Sequence, residues 1–255
     1  VRPHRQLFAT FAVATLLIAG ASAFPARSEQ SSDKAEFDIT PYVWAAGLNG
    51  SVGIGKLPAQ GVEASFSDLV QDLHFAAMGT FRVRKGDWGA IIDAVYFDLH
   101  DTVPTPDQVV YGQADVTLGE QLYTGFVIYR IYEAHKTTVD LVWGGRYVRL
   151  DTDLSLTGGV AQGRSASATV TWWDWLAGVN VVGHPSPRWS WLFHADLGGG
   201  GSQFTWEGIA GADFAFNKTV SLAFGYRYLS IDYDENGLLY DLGTAGPYLG
   251  VGFHF

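Results

Sequence analysis

The feature that most limits this chain is a period-two alternation that carries charges in mid-run on its polar side. Val220, Leu222, Phe224, Tyr226 and Tyr228 alternate with Ser221, Ala223, Gly225 and Arg227. Trp189, Trp191, Phe193, Ala195 and Leu197 alternate with Ser190, Leu192, His194 and Asp196. Phe75, Ala77, Gly79, Phe81 and Val83 alternate with His74, Ala76, Met78, Thr80, Arg82 and Arg84, and Trp173, Trp175, Ala177, Val179 and Val181 with Asp174, Gly178 and Asn180. Such a period is that of β-strands with two unlike faces. A soluble barrel or sandwich would turn the apolar face inward and the polar face to water. A closed sheet in a membrane does the reverse, and its interior accepts charges that find partners there. Lipid leaves no backbone group free to meet water, so a strand-built chain crosses a membrane only as a closed barrel.

Strands are expected at 37–48, 73–84, 88–100, 114–132, 137–152, 166–183, 189–197, 204–215, 219–232 and 241–255. The breaks between them alternate. Lys85 to Asp87, Glu133 to Lys136, His184 to Arg188 and Phe216 to Lys218 are short, whereas those near 49–72, 101–113, 153–165, 198–203 and 233–240 are longer or polar. Short periplasmic turns opposite long extracellular loops describe an outer-membrane barrel, here all-β, antiparallel and of about ten strands, with eight or twelve as the flanking counts. Asn49-Gly50 is a hairpin signal, so residues 50–66 could add two short strands outside the membrane. Ser67 to Asp72 reads as a short capped helical turn. Aromatics gather at both ends of the strands. Trp88, Tyr129, Trp189, Phe214, Phe253 and Phe255 fall on the turn side, and Tyr147, Trp173, Trp175, Trp206, Tyr226 and Tyr228 on the loop side, as interfacial girdles require.

Residues 1–23 read as a signal peptide, with Arg2, His4 and Arg5 before the apolar Leu7 to Ala19 and an A-x-A site at Ala21 to Ala23. Residues 24–36 are expected to form a flexible periplasmic leader and 37–255 the barrel. Without residues 1–23 the chain has 14 basic and 26 acidic residues, a net charge of −12. That balance excludes nucleic acid as a partner. The absence of Cys removes thiol chemistry and thiolate metal sites. At the other end Leu249, Val251, Phe253 and Phe255 share one face of a last strand, with Tyr248 beside them. A final strand closing on Phe is similar to the signal that the barrel assembly machinery reads. Expected partners are that machinery, outer-membrane lipids and lipopolysaccharide.

Phe37 to Gly50, Ser65 to Leu69, Phe81 to Gly89, Trp172 to Gly178, Gly225 to Leu229 and Gly246 to Phe255 resemble a group of proteobacterial outer-membrane β-barrel proteins labelled porin-family or outer-membrane-protein-W-like. The resemblance covers nearly all of the chain after residue 36. It implies architecture and outer-membrane location, and brings no catalytic motif with it.

The inward-facing set is expected to hold Arg82, Arg84, Arg130, Arg146 and Arg227 with Asp93, Glu120, Asp140, Asp174, Asp196, Glu207 and Asp213. In a bore of about ten strands these form either a packed ion-pair network or the lining of a narrow polar pore. Arg227 is expected to pair with Asp213, and Arg82 with Asp93. At the loop side, Asp98 with His100, Asp151 with Asp153, and Asp232 with Asp234 are candidates for activating water. Asp232 to Gly237 opens like a calcium loop, but Gly243 stands where the bidentate Glu belongs. The seven His show no metal-ligand spacing, and no Ser is set beside a base by spacing. No cofactor, metal or catalytic residue is assigned. The sequence reads as a non-enzymatic barrel with a structural or narrow porin-like role. Uptake of small apolar molecules past Phe66, Leu69, Val70 and Leu73 is the first alternative. A rim enzyme, protease or lipopolysaccharide-modifying, is the second.

Overall fold

The computed structural model describes residues 34–54, 59–104, 113–157, 164–235 and 237–255. The signal-peptide segment and most of the leader lie outside these residues. Strands β1 (Glu36–Trp44), β2 (Gly47–Ile54) and β3 (Gln60–Ala64) are followed by helix α1 (Phe66–Asp72). Then come β4 (Leu73–Lys85), β5 (Trp88–Pro104), β6 (Gln113–Ala134), β7 (Thr137–Thr157) and β8 (Arg164–Gly183). The last four are β9 (Trp189–Gly200), β10 (Phe204–Ala215), β11 (Val220–Glu235) and β12 (Leu238–His254). From β4 to β12 each strand pairs antiparallel with the next, and β1 pairs with both β4 and β12 to close the sheet. Phe37 N donates to Phe255 O (3.2 Å) and Phe255 N to Phe37 O (2.9 Å), so the two ends of the barrel meet in the ladder. The ten-strand expectation describes this closed wall.

The two extra strands form an extension. β2 continues β1 along the upper half of β12, from Ala245↔Gly47 to Leu238↔Ile54, and β3 folds back on β2. Asn49-Gly50 is not the turn between them, because both residues lie inside β2. Gly50 is there for close approach: a Cβ on it would lie 2.1 Å from the Asp241 carbonyl oxygen. The expected helical turn is α1. Ser65 caps it, its hydroxyl accepting from Asp68 N (3.3 Å) while the Asp68 carboxylate accepts from Ser65 N (2.9 Å). The β1–β4 ladder ends at Pro41↔Gly79, where Pro has no N–H to continue it.

The outer surface divides at two aromatic rows. Below, Trp88 packs at a tilt against Tyr129 and meets Trp143 edge-on, and Trp189 does the same with Phe214 and Phe224. Above, Phe75 meets Tyr96, Tyr147 joins Tyr123 to Trp173, and Trp206 stacks on Tyr228. On β5 Trp88 and Tyr96 are eight residues apart. That is roughly 27 Å along a strand and, at a tilt of about 40°, roughly 21 Å along the barrel axis, close to the apolar band of outer-membrane barrels. Between the rows the outward side chains are apolar, among them Ile92, Val127, Leu141, Phe193 and Leu249, all exposed. Beyond the upper row they turn polar, with Asp98, Arg149, Asp151 and Thr169, so β5–β8 project past the bilayer.

Candidate functional site

Every inward position contributes to one interior, and that interior changes character along the axis. The lowest tier surrounds a cavity of about 1050 Å³ that opens among the short turns. Its wall holds a chain of polar side chains running across five strands. Asp213 on β10 accepts from Ser221 Oγ on β11 (2.7 Å), and Ser221 Oγ is 2.9 Å from His254 Nε2 on β12. His254 Nδ1 is 2.6 Å from Asp38 on β1, and Asp38 accepts from Arg82 Nε on β4 (2.7 Å). Across the cavity Asp140 accepts from Arg84 and from Arg130 Nε (2.9 Å), and Arg130 reaches Glu133 (3.1 Å). Phe126, Ile128, Val142 and Leu176 form an apolar stretch of wall beside them.

The middle tier is a buried ion-pair layer. Arg146 is wholly buried. It donates to Thr124 Oγ1 (3.2 Å), Thr205 Oγ1 (2.8 Å), Asp196 (3.3 Å) and Glu207 (2.7 Å). Arg227 donates from Nη1 to Asp93 (2.9 Å) and Tyr42 (2.6 Å) and from Nη2 to Glu207 (3.1 Å), and it lies 4.7 Å over the Trp44 ring. Its Nε sits 3.0 Å from Glu207 Oε1, an ion-pair contact without hydrogen-bond alignment. Tyr42 and Thr80 also donate to Asp93, and His194 bridges Asn180 and Asp196. Asp174 takes the Ser202 N–H (2.7 Å) and Trp172 Nε1 (3.1 Å), tying down the β9–β10 connection. Glu207 thus joins two arginines from facing walls, which sets the layer across the bore.

The highest tier is apolar. Val95, Leu122, Val148, Leu150, Leu229, Ile231 and Leu242 pack with Trp172, Tyr233 and Tyr240. Trp172 stacks on Tyr233 at 4.2 Å. Glu120 is enclosed here, above the upper aromatic row, with one partner, Tyr240 OH (3.2 Å). Burial pushes its carboxyl up to about 7, against a smaller opposite effect of the Tyr240 hydrogen bond.

All twelve expected inward residues face the interior, but two expected pairs differ. Arg82 pairs with Asp38 rather than Asp93, and Arg227 with Asp93 and Glu207 rather than Asp213. Strand stagger sets these partners, and stagger is absent from an alternation pattern. The rim candidates divide. Asp98 and His100 on β5 and Asp151 and Asp153 on β7 lie on one outward patch either side of β6, where His100 and Asp153 line a shared pocket with Thr117 between them, whereas Asp232 and Asp234 lie apart on β11. Asp232 faces Asp241 across the ladder, and burial, then Asp241 and Asp234, raise its carboxyl. Among the described residues, one His/carboxylate group has ligand atoms within metal-binding reach: His194, Asp196 and Glu207. The Arg146 guanidinium already holds both carboxylates.

Ser221, His254 and Asp38 are a set that the sequence pattern did not single out. Their hydrogen bonds follow the nucleophile–base–orienter order of serine hydrolases. Two features set them apart from that use. Ser221 is 0 % exposed, and Asp213 competes with His254 for its single proton.

No protein-family model and no curated protein sequence matches the chain. Solved structures do. The outer membrane protease OmpT from Escherichia coli aligns with a TM-score of 0.55 at 7% identity, over 89% of this chain and 99% of that one. Ail, the attachment invasion locus protein of Yersinia pestis, aligns at 0.36 and 15% identity, over 88% and 99%. The Pseudomonas putida toluene transporter TodX aligns at 0.38 and 11%, over 88% and 90%. The likeness to the Escherichia coli protein is one of fold and brings no activity across. With the apolar belt and the two girdles, it makes this chain an outer-membrane β-barrel.

Proposed function

We propose that the protein is a closed structural barrel of the bacterial outer membrane, non-enzymatic, with a chamber that opens to the periplasm and a bore that does not conduct at rest. The observation that carries this reading is the buried Arg146–Glu207–Arg227 bridge beneath a packed apolar tier. A water-filled pore needs a continuous polar path, and two tiers interrupt it. In planar bilayers the purified barrel is expected to give no steady current steps at neutral pH. Steps of porin size would overturn the reading.

A second reading, passage of small apolar molecules, has one specific observation in its favour. Above Pro41↔Gly79 the β4 edge at Leu73–Met78 has no β1 partner, and apolar Phe66, Val70 and Leu73 lie exposed beside it. A side portal there would lead into the apolar tier. Proteoliposomes that take up a labelled monoaromatic compound faster than empty ones would favour this reading over the structural one.

For Ser221, His254 and Asp38 we favour a clasp over a hydrolase. The three join β11, β12 and β1, where the barrel closes. A fluorophosphonate probe is expected to leave Ser221 unlabelled. The outward Leu249, Val251 and Phe253 of β12, with Phe255 just past it, would present the assembly signal. Deleting Phe255 is expected to lower the heat-modifiable barrel in the outer membrane.

A further inference from the structure

The chain is acidic, with a formal net charge of −10, yet three of its four short turns carry a basic residue, Lys136, Arg188 and Lys218, and Lys85 ends the strand that enters the fourth. Lys136, Arg188 and Lys218 line the mouth of the chamber, and so do His135 and His184. Deeper in the chamber the charges are matched, Arg82 by Asp38, Arg130 by Asp140 and Glu133, and Arg227 by Asp93 and Glu207. The mouth also holds the carboxylates of Glu36 and Glu133, the second paired with Arg130. Among the described residues, none of Lys136, Arg188 and Lys218 forms an ion pair; Lys136 Nζ reaches only the Pro185 carbonyl oxygen (3.4 Å).

Two further observations bear on this mouth. The β6–β7 turn places His135 and Lys136 at φ 50° and 67°, the left-handed conformation that two-residue hairpins usually give to Asn and Gly. That conformation is unfavourable for residues with a Cβ, and the result is a His and a Lys side chain at the rim of the cavity. Further in, the Arg84 side chain is nine-tenths buried in the chamber wall. Its Nη2 is committed to Asp140, and its Nη1 has no partner. A converging set of unpaired cations around a cavity focuses field and favours anions, and guanidinium forks suit phosphate oxygens.

We propose that the chamber is a binding site for a phosphate-bearing anion, admitted by Lys136, Arg188 and Lys218 and met further in by Arg84. Two sources supply this chemistry at a periplasmic mouth: a free phosphorylated solute, and the headgroup of an anionic phospholipid in the inner leaflet. The site does not depend on whether the bore conducts. A conducting barrel that binds anions would refute the closed-bore reading alone, and a silent barrel that binds none would refute only this proposal.

The test uses the whole barrel, with thermal unfolding as the readout, because a ligand that binds only the folded state raises the midpoint. In one arm the protein sits in neutral detergent and pyrophosphate is titrated at an ionic strength held constant with sodium chloride. In the other it sits in nanodiscs of phosphatidylcholine, with phosphatidylglycerol replacing it stepwise. A saturable rise in the first arm identifies a free anion, and a rise confined to the second identifies a headgroup. The triple variant Lys136→Gln, Arg188→Gln, Lys218→Gln removes no ion pair, so it is expected to fold and to need at least about tenfold more ligand for the same rise. Arg84→Lys, which keeps the charge beside Asp140 but loses the fork, is expected to weaken binding by a smaller factor. Flat midpoints in both arms overturn the proposal. So does a rise that the triple variant retains in full.

Discussion

Glu207 and Glu120 are both buried carboxyls, yet the two ends of the interior treat them in opposite ways. Glu207, below, lies between Arg146 and Arg227, whose other donors go to Thr, Tyr and Asp partners. Glu120, above, has Leu122, Leu150 and Phe97 around it in the apolar tier and one hydroxyl to lean on. Burying a charge is tolerable only where its partners are buried with it. The lower half of this barrel is built to hold ions away from bulk water, and the upper half to exclude them. The same alternating strands produce both halves, because the inward positions change from charged to aliphatic along β7 and β11, from Arg146 to Val148 and Leu150 and from Arg227 to Leu229 and Ile231.

The largest expected effect of disturbing this contrast is at Arg146. Arg146→Ala would remove the guanidinium that Asp196 and Glu207 share, leaving Asp196 only His194 and Glu207 only Arg227 as ion-pair partners in a buried site. Breaking such a pair is expected to cost about 3–5 kcal/mol, read as lost heat-modifiability or a large drop in unfolding midpoint. A variant as stable as the parent would mean that the middle tier is hydrated.

Next is the difference between the two faces of β11. Phe224 points to lipid, and its neighbour Ala223 lines the chamber. Phe224→Arg is expected to cost roughly 2–4 kcal/mol, whereas Ala223→Arg has a cavity to occupy and should be milder. Unfolding in lipid vesicles would measure both, and the reverse ranking would invert the assignment of faces.

Glu120 sharpens the contrast through pH. Its carboxyl rises from the ordinary 4.5 to about 7 on folding, so folding takes up a proton. The stabilisation is complete below about 4.5 and is lost as pH rises through about 7, a change of up to about 3 kcal/mol. Glu120→Gln is expected to flatten this part of the pH–stability curve. An unchanged slope would show that Glu120 is solvated and the upper tier open.

The smallest expected effect is coupling across the middle tier. Arg227 and Asp93, on facing strands, should show a double-mutant interaction of about 0.5–3 kcal/mol, while Arg227 and Asp213 should be additive. Coupling to Asp213 instead would restore the pairing expected from sequence.

Much of this was legible in the chain. The alternation in strands such as Val220–Tyr228 gave both the wall and its faces, and the short breaks marked the turns. The upper tier was less visible. Leu122, Val148 and Leu150 share the inward face with Glu120 and Arg146, while their outward neighbours Gln121, Arg149 and Asp151 are polar, the reverse of the apolar-out pattern that marks the wall below. The pairing of side chains was not legible at all. His254 meets Asp38 from the opposite end of the sequence, and Ser221 meets both His254 and Asp213 only because β10, β11 and β12 adopt one particular stagger. Alternation fixes which face a residue takes; height along the axis comes from register.

The chain has no Cys, so single thiols can report on the interior without background. The account predicts that Ala223→Cys, in the chamber, reacts with a charged, membrane-impermeant thiol reagent applied from the periplasmic side. Val148→Cys, wholly buried in the upper tier, should resist the same reagent from either side. Comparable labelling of Val148→Cys from outside, with the barrel still folded, would contradict the account, because it would put a water path where the structure places packed side chains.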